Sequence, residues 1–192
     1  MKDVKDVKVL GKTALTALML FFLFGCSKEE GISFSFQNQE NQTFSSEELE
    51  GKVWIADFMF TNCRTVCSPM TANMKKIQER AAKQGIDVQF VSFSVDPEVD
   101  TPEKLKEYVA YHGGDFSNWN VLTGYKQKEI ETFAKENFSA IVKKPEESDQ
   151  VLHSTSFYLV DKNGKIVETF EGVKNPPYDD ILKEAAKAEE KN

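Results

Sequence analysis

Two thiols supply the most reactive chemistry in this chain. In Thr61-Asn-Cys-Arg-Thr-Val-Cys-Ser-Pro-Met70, Cys63 and Cys67 stand with three residues between them. An apolar run from Val53 to Phe60 leads in and reads as a buried strand. Met70, Met74, Ile77 and Ala81 lead out at the three- and four-residue spacing of a helix face. A dithiol at a strand-to-helix turn meets the free N–H groups and positive dipole end of the new helix, which favour thiolate over thiol. Thiolates exchange disulfides and also bind soft metals, so both kinds of work stay open. Free cysteines are often no more than small buried residues. Against that stand the site behind a hydrophobic strand and Pro69, expected to fix the helix start.

The first residues read as an export signal. Lys2, Lys5, Lys8 and Lys12, diluted by Asp3 and Asp6, precede the apolar run Ala14–Phe24. That run falls short of the about 20 apolar residues a spanning helix needs, and it fits the apolar region of a secretory signal. Leu23-Phe24-Gly25-Cys26 resembles the bacterial lipoprotein processing site, which implies a signal peptide over 1–25 and a lipid on Cys26. Residues 26–33 then form a lipidated tether and 34–192 the folded domain. Cysteine parity agrees, because an odd thiol in an exported protein needs an explanation. Of three cysteines, Cys26 takes the lipid and Cys63 and Cys67 remain as a pair. An uncleaved signal anchor would give nearly the same topology. Either way the domain is expected at the extracytoplasmic face of a bacterial cell membrane.

Composition narrows the partners. The net charge is −7, and the signal itself is basic, so the exported domain is more acidic still. No basic patch interleaved with aromatics is present, which argues against nucleic acid. Roughly 160 residues after the signal suit one domain with a sizeable core, expected as a monomer. The Lys/Glu-rich end from Lys183 to Asn192 reads as a solvated helix terminus.

The elements that must position the thiols can be read coarsely. Phe34–Phe36 and Thr43-Phe44 flank the polar Asn38–Asn41 as a small hairpin. Ser46–Gly51 is a helical turn. After the strand and the cysteine turn, a helix runs to about Gln84 with Gly85 as its stop. Asp87–Val95 is a second apolar strand ending at Asp96-Pro97. Pro102 sits in the first turn of a helix reaching Tyr111. Trp119–Leu122 is a strand and Gln127–Asn137 a helix. Ser156–Asp161 and Lys165–Phe170 pair about Asn163-Gly164 as an Asn-Gly hairpin, and Pro177 starts a last helix. Strand–helix alternation followed by a hairpin and a helix gives an α/β fold, a mixed sheet flanked by helices. With a dithiol after the first core strand this is a thioredoxin-like fold carrying an N-terminal hairpin extension.

The order TNCRTVCSPM, SVDPEVDTPEKLKEY, NWNVLTG and VLHSTSFYLVDKNGKIV resembles the Sco/SenC family of membrane-tethered copper proteins across about Phe34 to Leu182. The resemblance implies a thioredoxin-like fold and a role in assembling the dinuclear copper A centre of cytochrome c oxidase subunit II. It places the copper ligands on Cys63, Cys67 and His153, with the two cysteines forming a disulfide when oxidised. The family usually has proline directly after the second cysteine; here Ser68 intervenes, and as a good N-cap it is expected to shift the helix start locally. The chemistry is coherent: sulfur favours Cu(I), and an imidazole nitrogen helps retain Cu(II). A structural zinc site normally takes four protein ligands, and no fourth Cys or His is evident.

Lone histidines before strands are ordinarily partly buried side chains without a ligand role. His153 stands out because it precedes the loop that faces the dithiol in a thioredoxin-like fold, where thioredoxins carry a proline. The charged stretch Lys143–Asp149 is expected to be mobile and to swing His153 into place. Asp96 reads as a turn-former or as a carboxylate behind the ligands, tuning thiol acidity or orienting one of them. Met70 and Met74 are expected in the core, His112 on the surface, and Asp57 either paired or at a sheet edge. The reading is a copper-binding metallochaperone with an unknown copper donor. A thiol–disulfide oxidoreductase using Cys63 and Cys67 to reduce the oxidase cysteines is the alternative, and a redox or copper sensor a weaker one.

Overall fold

The computed structural model describes residues 31–191. The expected signal peptide 1–25, the lipidation site Cys26 and most of the tether lie outside the described residues. The domain engages the chain slightly before residue 34, since the Ile32 amide donates to the Gly164 carbonyl at 2.9 Å.

In chain order the elements are β1 (Ser35–Gln37), β2 (Thr43–Ser45), a 3-10 turn (Ser46–Leu49), β3 (Val53–Met59), α1 (Cys67–Gln84), β4 (Val88–Ser94), α2 (Pro102–Tyr111) and β5 (Trp119–Leu122). They continue with α3 (Gln127–Phe138), β6 (Val142–Lys143), β7 (Leu152–His153), β8 (Ser156–Val160), β9 (Ile166–Glu171) and α4 (Tyr178–Glu190). The central sheet has the order β5-β4-β3-β8-β9. β3, β4 and β5 run parallel, and β8 and β9 are antiparallel to their neighbours. All seven residues of β3 are buried, as a strand covered on both faces requires. The mixed sheet and its flanking helices are those expected of a thioredoxin-like fold.

Alternation along β3 divides the core. Trp54 and Phe58 share a face with Phe93 and Tyr158 and meet Phe34, Phe36, Phe133 and Phe138 in an aromatic cluster. Ile55 and Asp57, with Phe90 and Ser92, occupy the other face. The helix start Thr101–Pro102 is as expected, with the Thr101 hydroxyl accepting from the Lys104 amide. Gly85 ends α1 in the left-handed conformation at φ 68°.

Three local expectations change. The β8–β9 connection is not a two-residue Asn-Gly turn. Of Asn163 and Gly164 only the glycine is left-handed, at φ 75°, while the Asp161 carboxylate accepts from the Asn163 and Lys165 amides. A four-residue turn and a register shift at Leu159/Val160 result. The end expected to be a solvated helix terminus is only half solvated over its described residues 183–191, because Ala185 and Ala188 are buried in α4. The polar loop of the N-terminal hairpin is a docking device. Gln37 bridges Thr123, and the Gln39 side chain accepts from the Val121 amide at 2.8 Å, covering part of the free edge of β5.

Candidate metal centre

The cysteine loop is suspended between two anchors. At its start the Asp100 carboxylate accepts from the Thr61 amide and hydroxyl and from the Ser94 hydroxyl. At its end α1 begins at Cys67, not beyond it. Val66 occupies the capping position without a side-chain cap, and the Cys67 amide donates instead to the Cys63 sulfur at 3.4 Å. Ser68 is therefore inside the first turn, and its hydroxyl pairs with His112 Nε2 at 2.9 Å. Pro69 fits there because first-turn amides have no partner within the helix.

His153 arrives from far along the chain. In β7 it pairs with Val142 of β6, and its ring stands edge-on to Phe60. Nδ1 lies 2.8 Å from the Ser154 carbonyl, which assigns the proton to Nδ1. Nε2 then faces the Cys67 sulfur at 3.3 Å. The ligand atoms of Cys63, Cys67 and His153 all lie within 4.8 Å of one another. Donors sharing one ion at bonds of about 2.0–2.3 Å lie roughly 3.3–4.6 Å apart, so little closure is needed. The donor set fits a soft or borderline ion of low coordination number.

The two sulfurs differ. Hydrogen bonding from Cys67 outweighs partial burial and, with His153 and the backbone N–H groups of Thr65 and Cys67, lowers the Cys63 pKa to about 3. The neighbouring Cys63 sulfur, together with burial, pushes the Cys67 thiol well up. The reduced pair therefore holds one thiolate, on Cys63, and one thiol, on Cys67. Both are free cysteines here. Cys63 opens onto a cleft of about 580 Å³ shared with Thr61, Ser68, Tyr108 and His112. His112 is thus half-buried at the site's rim rather than plain surface.

The remaining candidates fall in different places. Asp96 is buried and engaged by Lys144 Nζ at 2.7 Å, so its hydrogen bond goes to the segment carrying β6, not to a ligand side chain. Lys144 also reaches Glu98, and its amide donates to Glu131. Arg64 pairs with Asp149. The stretch expected to swing freely is thus tied at several points. Asp57 is at no edge: it is buried in the central strand, where burial raises its pKa to about 6 against opposing help from Ser92 and His153. Its Oδ1 has no hydrogen-bond partner. Met70 and Met74 are core residues, as expected. Asp100 was legible only as part of a helix start; its hold on Thr61 depends on two segments meeting in space.

A family model described as SCO1/SenC matches residues 26–188. The chain belongs to the SCO1/SenC family. A SCO1 protein homolog of Bacillus subtilis is 49% identical over 183 residues, covering 91% of this chain and 95% of that protein. A crystal structure of a SCO1/SenC family lipoprotein from Bacillus anthracis superposes with a TM-score of 0.81 at 52% identity, over 84% of this chain and 95% of that one. BsSco, described as a member of the Sco family of cytochrome c oxidase assembly proteins, gives 0.77 at 52% identity over 83% and 93%. Arabidopsis thaliana ScoI with copper bound gives 0.68 at 28% identity over 82% and 96%. SCO1/SenC membership and the thioredoxin-like architecture thus agree with the motif order along the chain.

Proposed function

We propose that this chain is a membrane-anchored copper-binding protein that supports assembly of the dinuclear copper A centre of cytochrome c oxidase subunit II. Copper is its cargo, held by Cys63, Cys67 and His153. The observation that carries the reading is the convergence of two sulfurs and one imidazole nitrogen within 4.8 Å. Two sulfurs hold Cu(I), and the nitrogen extends the site to Cu(II). Copper in a solved family structure and the description of BsSco as an oxidase assembly protein support it. Anchoring is inferred from Leu23–Cys26 and from the Bacillus anthracis relative being described as a lipoprotein. The proposed tether is the lipid on Cys26; among the described residues no helix is long and apolar enough to cross a membrane.

Copper titration of the reduced soluble domain tests this. One ion should bind with sulfur-to-copper charge-transfer absorption, and Cys63→Ala, Cys67→Ala and His153→Ala should each weaken it. Binding that survives unchanged in the double cysteine variant would overturn the assignment.

One observation favours a second reading, the thiol–disulfide oxidoreductase. Cys63 is a thiolate open to a cleft, with the Cys67 thiol behind it. Cys63 would attack a partner disulfide, forming a mixed disulfide and releasing one partner thiolate. Cys67, losing its proton, would then attack Cys63, closing the intramolecular disulfide and releasing the second. Two electrons pass to the partner. This sequence needs no metal, so His153→Ala should keep a reductase working while abolishing copper(II) delivery.

A further inference from the structure

The metal ligands sit on two separate segments, the cysteine loop and the β6–β7 hairpin, and the Gln150 side chain bridges them. Gln150 Nε2 donates to the Asn62 carbonyl at 3.0 Å, and Gln150 Oε1 accepts from the Arg64 amide at 3.2 Å. Asn62 and Arg64 flank Cys63 on either side. The Gln150 amide thus makes both bonds of a ladder rung across Cys63, and only one orientation of the amide satisfies both partners.

Gln150 is itself well placed to act as a link. Its own amide donates to the Ser148 hydroxyl at 3.0 Å. The next residue, Val151, is buried in the core, and β7 with His153 follows at once. A second tie between the segments, Arg64 to Asp149, joins two largely exposed side chains and contributes little. Within the loop the Cys63 amide has only a long 3.4 Å bond to Phe60.

We propose that Gln150 is a positioning residue that locks the cysteine loop to the histidine hairpin, so that all three ligands close on copper(II) as one unit. This rests on the copper reading above. Cu(I) is served by the two sulfurs, which share one loop and one helix start, and is insensitive to the link. Cu(II) needs the nitrogen and the sulfurs together, and their separation is what Gln150 sets. Groups that orient ligands from behind typically change metal affinity by about 10–100-fold when removed.

The test compares wild type, Gln150→Ala, Gln150→Glu and, as control, Asp149→Ala. Copper(II) affinity and charge-transfer spectrum, copper(I) affinity, and hydrogen exchange of the Arg64 amide in the reduced metal-free protein are measured. Gln150→Ala should lose copper(II) affinity by roughly tenfold or more with an altered spectrum, keep copper(I) affinity within about threefold, and lose Arg64 amide protection. Gln150→Glu should keep that protection, since a carboxylate still accepts, yet lose part of the copper(II) affinity with the bond to Asn62. Asp149→Ala should change none of these. Wild-type copper(II) affinity and spectrum in Gln150→Ala would overturn the inference, as would an equal fall for both oxidation states. Should Gln150→Ala not fold, Gln150→Glu decides by the same measurements. Failure of the wild type to bind copper would instead remove the copper reading, with Arg64 exchange still reporting whether the link exists.

Discussion

The two faces of β3 carry different burdens. Trp54 and Phe58 look into the aromatic cluster closed by α3 and the N-terminal hairpin, where no chemistry is placed. Asp57, one residue from Phe58, looks the other way, and its charge is felt at Cys67. The first face stores stability in dispersion and area burial. The second gives some of it up, keeping a carboxyl in the core with one oxygen unpaired. Function sits where the core is polar, and the aromatic face offsets what that polarity costs.

The largest effect should come from breaking the stable face. Phe93 is fully buried and meets Phe34, Phe58, Phe133 and Phe138. Phe93→Ala should destabilise by about 3–5 kcal/mol in denaturant unfolding, while copper stoichiometry and spectrum of the folded fraction stay as in wild type. A loss under about 1 kcal/mol, or a changed metal site, would erase the contrast between the faces.

Asp57→Asn should act in the opposite direction. An unfolded carboxyl titrates at 3.8 and the buried one at about 6. Between those values the native state holds a proton the unfolded chain has lost, so native stability falls as pH rises through the window. Each tenfold in proton affinity is worth about 1.4 kcal/mol, which makes the full penalty about 3 kcal/mol. The asparagine variant of the reduced, metal-free protein should gain up to that amount above pH 7 and nothing below about pH 4. Equal stabilities of variant and wild type at pH 8 would show that the polar face carries no such cost.

The finest discrimination lies within the site. Because Cys63 is the thiolate and Cys67 the thiol, iodoacetamide at pH 6 should alkylate Cys63 at least tenfold faster than Cys67. Peptide mass spectrometry reads the ratio. Equal labelling would mean that the charge is shared and that the cleft beside Cys63 does not distinguish the sulfurs.

Much of this was open to reading along the chain, for a physical reason. β3, α1, β4, α2 and β5 are written in short-range terms: apolar runs, three- and four-residue periodicity, Pro102 in a first turn, Gly85 in a left-handed stop. Each depends on neighbours within one or two turns, so boundaries came within about two residues. Cys63 and Cys67 were visible likewise, since their chemistry comes from their spacing and from the helix that follows. The start of α1 was misplaced because the Cys63 sulfur accepts from the Cys67 amide, so the helix begins at Cys67 and Ser68 falls inside its first turn instead of capping it.

What the chain by itself determined was the dithiol at a strand-to-helix turn, the acidic character and the α/β order of elements. Only the tertiary structure decided which imidazole would meet those thiols, across 86 residues, and at what distance. It alone moved Asp96 onto Lys144, buried Asp57 in the central strand, and brought Gln150 against Asn62 and Arg64. Periodicity and capping act through bonds to adjacent turns. A contact between distant segments depends on the order of strands in the sheet and on where two loops end, and no local pattern encodes that.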